Sequence, residues 1–191
     1  LSNTSATSAF GAGVTTSSIE NLSVNAVTAT SVDASLMSGI TGVTNNGSLS
    51  AVTVTGLAAI PEVSVIASSA NTTLTMGAAA VIGTADEMTV NLNGASTTAA
   101  SNITAEGIEK FNVNATGTAS GVDATGSTVS LTSATLKDVV ITGDAASVLA
   151  VNLAGATTSA AGSVTGNDAA NTVVLTADAA DKISVDLGAG N

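Results

Sequence analysis

Ile19-Glu20-Asn21-Leu22-Ser23-Val24-Asn25-Ala26 recurs 89 residues later as Ile108-Glu109-Lys110-Phe111-Asn112-Val113-Asn114-Ala115. Val32-Asp33-Ala34 follows the first copy and Val122-Asp123-Ala124 the second, at an offset of 90. Leu49-Ser50-Ala51-Val52-Thr53-Val54-Thr55-Gly56 then matches Leu136-Lys137-Asp138-Val139-Val140-Ile141-Thr142-Gly143 at an offset of 87. Three blocks in one order make an internal repeat, spanning residues 19–106 and 108–191, and a repeat constrains the whole fold.

Inside the repeat, apolar and polar residues alternate. Leu22-Ser23-Val24, Val52-Thr53-Val54, Val63-Ser64-Val65, Met88-Thr89-Val90-Asn91-Leu92, Phe111-Asn112-Val113, Val129-Ser130-Leu131 and Ile183-Ser184-Val185-Asp186-Leu187 all show a period of two. That period belongs to a half-buried strand, and the β-branched residues reinforce it. Val139-Val140-Ile141 and Val173-Val174-Leu175 are continuous apolar runs and read as more deeply buried strands. Asn45-Asn46-Gly47 and Gly166-Asn167-Asp168 supply turn chemistry. Pro61 is expected to open the strand at Val63, where a missing N–H does least harm.

Smaller matches cross the large one. Val90-Asn91-Leu92-Asn93-Gly94-Ala95 resembles Val151-Asn152-Leu153-Ala154-Gly155-Ala156 at an offset of 61, and Met88 to Leu92 resembles Ile183 to Leu187 at 95. These offsets lie near multiples of about 30, with a strand marker roughly every ten residues, which describes a three-sided solenoid of about six turns, roughly 30 Å long at the ~4.8 Å strand spacing. The expected fold is therefore all-β: one right-handed parallel β-helix or β-solenoid over residues 1–191, with irregular turns of about 30 residues. The rival is a pair of β-sandwich domains of about 90 residues, opposed by the absence of Trp and Tyr and by the 61-residue match.

Composition narrows function. The 191 residues carry fourteen acids, three Lys and no Arg or His, for a formal net charge of −11. Phosphate neutralisation needs Lys and Arg, so neither nucleic acid nor anionic membrane surfaces are expected partners. Mean hydropathy is +0.50, yet polar residues interrupt every apolar run before roughly 18 residues, so no membrane insertion is expected. Leu1 opens without Met or a signal peptide and the chain stops at Gly188-Ala189-Gly190-Asn191, which reads as a segment of a longer polypeptide.

Without His or Cys, Ser-His-Asp and Cys-His nucleophilic catalysis is excluded. Lys110, Lys137 and Lys182 sit beside acids in strand-like stretches and read as solvated charges. Glu20 and Glu109 are repeat equivalents expected in different turns, which makes them a poor glycosidase pair. No enzyme is expected. Calcium is the specific cofactor hypothesis: hard cations want oxygen ligands on Gly-containing turns, and Asn167, Asp168, Asp181, Asp186 and Asn191 offer them in the last third of the chain. Ice binding is a further alternative raised by Thr53-Val54-Thr55. It needs Thr at one position in every turn, whereas the repeat sets Thr55 against Thr142 and places Asn at the sites near Asn25 and Asn114, so the array reads as broken.

Ser18 to Asn25 and Gly107 to Asn114 share the phrase Gly/Ser-Ile-Glu-x-Leu/Phe-x-Val-Asn. It resembles the G-I-E-x-hydrophobic-x-V phrase of large bacterial S-layer and RTX-type surface proteins, and the Ala/Thr/Ser/Val bias is similar to that of Caulobacter-type S-layer proteins. The resemblance implies a right-handed β-solenoid stabilised by Ca²⁺. It also implies a secreted, cell-surface location and self-association into a lattice or filament. An RTX-type adhesin contacting cell-surface polysaccharide is the alternative. Intact G-G-x-G-x-D repeats are missing; Asp168 and Asp186 with their neighbours approximate them.

Overall fold

A computed structural model describes residues 2–3, 8–10, 15–96, 98–121, 128–178 and 181–189. Its strands alternate between two sheets. The odd sheet holds β1 (Ser2–Asn3), β3 (Asn21–Ala26), β5 (Gly42–Asn46), β7 (Glu62–Ile66), β9 (Glu87–Asn93), β11 (Lys110–Ala115), β13 (Asp138–Gly143), β15 (Gly162–Thr165) and β17 (Ile183–Asp186). The even sheet holds β2 (Ser8–Phe10), β4 (Thr30–Asp33), β6 (Val52–Leu57), β8 (Thr72–Met76), β10 (Ser101–Ala105), β12 (Val129–Thr132), β14 (Val148–Asn152) and β16 (Thr172–Thr176). Each strand pairs in parallel with the strands two before and two after it. Among the described residues there is no helix.

This is a β-solenoid. Paired sandwich domains are excluded, since their sheets would be antiparallel. Each coil has two strands rather than three. The step between paired residues ranges from 19 (Leu57 to Met76) to 31 (Thr72 to Ile103), shorter on average than the expected 30. Nine rungs at the usual spacing make a stack roughly 38 Å long.

The register explains the sequence offsets. From β3 to β11 is four coils, as is β9 to β17; four coils span 91 and 97 residues in register, so the sequence offsets of 89 and 95 are four turns less two residues, a shift that keeps the inward-outward alternation. The 87-residue match sets β6 of the even sheet against β13 of the odd, and the 61-residue match sets β9 of the odd against β14 of the even. Both are likenesses between opposite sheets. Val122-Asp123-Ala124 lies outside the described residues.

Alternation dictates the core. Leu22, Val43, Val63, Val90, Val113 and Ile141 stack inward along the odd sheet, five of them at most 2% exposed and Leu22 at 8%. They face Val52, Ile103, Leu131 and Val151 of the even sheet. Small aliphatics suffice because the two sheets enclose one thin layer. The continuous apolar runs obey the pleat as well: Val140 points outward between buried Val139 and Ile141, and Val174 is half-exposed in β16. Pro61 is buried immediately ahead of β7, as expected.

Candidate functional site

The two outward faces differ in chemistry. Charged side chains gather on the odd strands: Glu62, Glu87, Lys110, Asp138 and Asp186. Lys110 Nζ meets Glu87 Oε1 at 3.3 Å, Asn112 Nδ2 donates to Glu87 Oε2 at 2.9 Å, and Asn114 Nδ2 donates to Asn91 Oδ1 at 3.1 Å. The Asn112 amide, followed by Lys110, holds the Glu87 carboxyl below its ordinary value. These are rung-to-rung contacts on an open surface, where each contributes little. Within the even strands Asp33 is the one charged side chain; the outward positions are otherwise Thr, Ser, Asn and small aliphatic residues. Ser31, Thr53, Thr73, Thr104 and Thr132 stand in direct register down that face.

The acids expected as calcium ligands divide between the two edges of the stack. Asn167 and Asp168 lie in the turn from β15 to β16, and the segment after Asp186 stacks on that turn: Ala189 N–H reaches Asp168 Oδ1 at 3.4 Å. One Asp186 oxygen accepts Gly188 N–H at 3.1 Å. Asp181 lies in the turn before β17, on the opposite edge, and accepts Asp178 N–H at 3.0 Å. Asn167 is already engaged: Nδ2 donates to the Thr142 and Gly143 carbonyls, while Oδ1 accepts from Asn171 and from the Ala169 N–H. Asp168 and Asp186 therefore lie toward the same edge of the stack, and Asp181 lies on the other. Asn191 lies outside the described residues. Among the described residues, no three acidic side chains converge.

Glu20 and Glu109 each precede an odd strand, four coils apart and about 19 Å along the stack. Their environments differ. Glu20 is exposed, whereas Glu109 is buried and its Oε2 accepts Asp86 N–H at 2.8 Å, so it acts as a turn cap.

A column of buried hydroxyls was not anticipated. Every turn from an odd to an even strand after β5 places one small polar side chain in the corner between the sheets: Ser48, Ser68, Ser96, Ser120, Ser147 and Asn171. Ser48 Oγ accepts Ala26 N–H at 2.9 Å, Ser120 Oγ accepts Ala95 N–H at 3.1 Å, and Ser147 Oγ donates to Asn171 Oδ1 at 3.0 Å. Each serves backbone or side-chain groups that the turn leaves without a ladder partner. The sequence signal is one Ser two to five residues past β5, β7, β9, β11 and β13, hidden in a chain where Ser is everywhere.

One open surface hollow of about 250 Å³ is bordered by Asn102, Ser130, Thr132 and Asn152, and another of the same size by Thr73, Met76, Val81, Thr104 and Glu106. No helix among the described residues is long and apolar enough to cross a membrane. No family model, curated protein or solved structure matches the chain. Its own geometry carries the functional reading.

Proposed function

We propose that this chain is a structural segment of a secreted bacterial surface array of the S-layer kind. It acts by stacking and self-association rather than by catalysis. One observation carries the reading: two parallel sheets, of nine and eight strands, stack rung on rung around a single, mostly aliphatic layer of side chains. Such a stack transmits position and load.

Calcium is the stabilising ion in this proposal. Asp168 and Asp186 each keep one oxygen beyond the hydrogen bonds described above, on adjacent rungs of one corner, and net charge −11 draws divalent cations to the surface. An RTX-type adhesin contacting cell-surface polysaccharide is the second reading, favoured by the open polar faces.

Electron microscopy of the purified protein with and without millimolar Ca²⁺ tests the proposal. Ordered sheets or filaments are expected; dispersed monomers at every concentration and calcium level overturn it, and monomers that bind glycan favour the adhesin. In parallel, Ca²⁺ should raise the melting temperature, and Asp168→Asn with Asp186→Asn should abolish that rise while Asp181→Asn leaves it intact.

A further inference from the structure

We infer that the outward face of the even sheet, along Ser31, Thr53, Thr73, Thr104 and Thr132, is an ice-binding surface. The sequence repeat argued against such an array by comparing Thr55 with Thr142. The fold places Thr55 in β6 of the even sheet and Thr142 in β13 of the odd, so that comparison joined two different faces. Within the even sheet the rank is continuous. Ser31 pairs with Thr53, Thr53 with Thr73, Thr73 with Thr104 and Thr104 with Thr132, each as direct register partners.

Three physical features make this rank suited to ordered water. Parallel pairing repeats the hydroxyl and the methyl every ~4.8 Å for four steps, about 19 Å in all. The β-branched side chain is stiff at χ1, so one rotamer can recur from rung to rung. Along the strand, Thr55 and Thr75 follow Thr53 and Thr73 by two residues, across the buried Val54 and Leu74, about 6.6 Å away. The two repeats form a mesh of the order of the oxygen spacings on the faces of ice. Methyl groups exclude disordered water between the hydroxyls, and hydroxyl-anchored waters cost little to immobilise.

The contrast between faces is the independent support. A fixed charge orients water around itself and disrupts a lattice. The odd strands carry five charged residues, Glu62, Glu87, Lys110, Asp138 and Asp186. The even strands carry one, Asp33, at the last position of β4 and beside Thr55 rather than on the main rank, and Glu106, just past β10, borders the rank beside Thr73 and Thr104. Asn71, Asn102 and Ser130 border the rank on its other side and are uncharged. Strand propensity accounts for Thr in both sheets but not for the segregation of charge to one of them.

Ice-affinity partitioning of the full 191-residue chain tests the inference, with a non-binding protein of similar size and charge as the reference. The wild type should be enriched in the growing ice and should inhibit ice recrystallisation. Thr73→Tyr and, separately, Thr104→Lys should lose most of the enrichment. Thr44→Tyr, at an outward position of β5 on the odd sheet, should retain it. Circular dichroism melts establish which variants fold, and either folded rank variant suffices. Wild-type protein distributed like the reference overturns the inference, as do folded rank variants that partition normally or a Thr44→Tyr variant that fails equally.

Discussion

Phe111 is the bulkiest fully buried side chain among the described residues, and its removal tests the core most directly. It points inward from β11, in register with Met88 on one side and Val139 on the other, both at most 1% exposed. Phe111→Ala removes a ring from a one-layer core whose neighbours are held by their own ladders and cannot collapse inward. The expected loss is about 3–5 kcal/mol, from transfer and residual cavity together. With a urea m-value of roughly 2–3 kcal/mol/M, the midpoint should fall by about 1–2 M. Urea unfolding followed by far-ultraviolet circular dichroism reads this shift. Val185→Ala, at a half-exposed position of β17, serves as the comparison and should cost less than about 1 kcal/mol. If Phe111→Ala moves the midpoint no further than Val185→Ala, the ring is not held in a closed core and the two-sheet packing is wrong.

Ser120→Ala should cost about 1–3 kcal/mol in the same assay, because it orphans the buried Ala95 N–H; an unchanged midpoint would remove the corner column from the account of stability. Gly143→Ala meets two obstacles: φ is +90°, and an added Cβ would lie 2.0 Å from the Ala115 carbonyl oxygen. A loss of at least about 1–3 kcal/mol should appear as a lower melting temperature, and an unchanged melt would contradict the β11–β13 register. Asn112→Ala should raise the Glu87 carboxyl back toward its ordinary 4.5 in a carboxyl-resolved NMR titration. Because the folded value is depressed, the stabilisation from Glu87 is present above that ordinary value and fades as pH falls through the folded one. An unmoved Glu87 titration would show that the amide contact is absent in solution.

Strands and solenoid were legible because the pleat writes itself into the sequence. Met88-Thr89-Val90-Asn91-Leu92 becomes the inward-outward alternation of β9 directly. The number of strands per coil was not legible, for a physical reason. Corners absorb extra residues without disturbing the ladders, so Gly42 to Glu62 takes 20 residues where Thr72 to Ile103 takes 31. Variable corners blur the period. Both sheets also demand the same Val-x-Val pattern, so a local match such as Val52 to Val54 with Val139 to Ile141 does not reveal that its members lie in opposite sheets, several coils apart. At the proposed calcium corner, Gly166-Asn167-Asp168 was recognisable as a turn, but composition could not show that the Asn167 amide is committed to the Thr142 and Gly143 carbonyls. The threonine rank was hidden for the same reason as the coil count: it exists only once each strand is assigned to its sheet.

The parallel ladders also set the mechanics of the molecule. Strands run across the stack, so the backbone hydrogen bonds point along its axis. Tension along the axis peels one coil from the next, breaking a single rung of a few bonds at a time. Tension along the strands shears a whole ladder of rungs together. The same protein should therefore yield at low force when pulled end from end and resist strongly when pulled sideways.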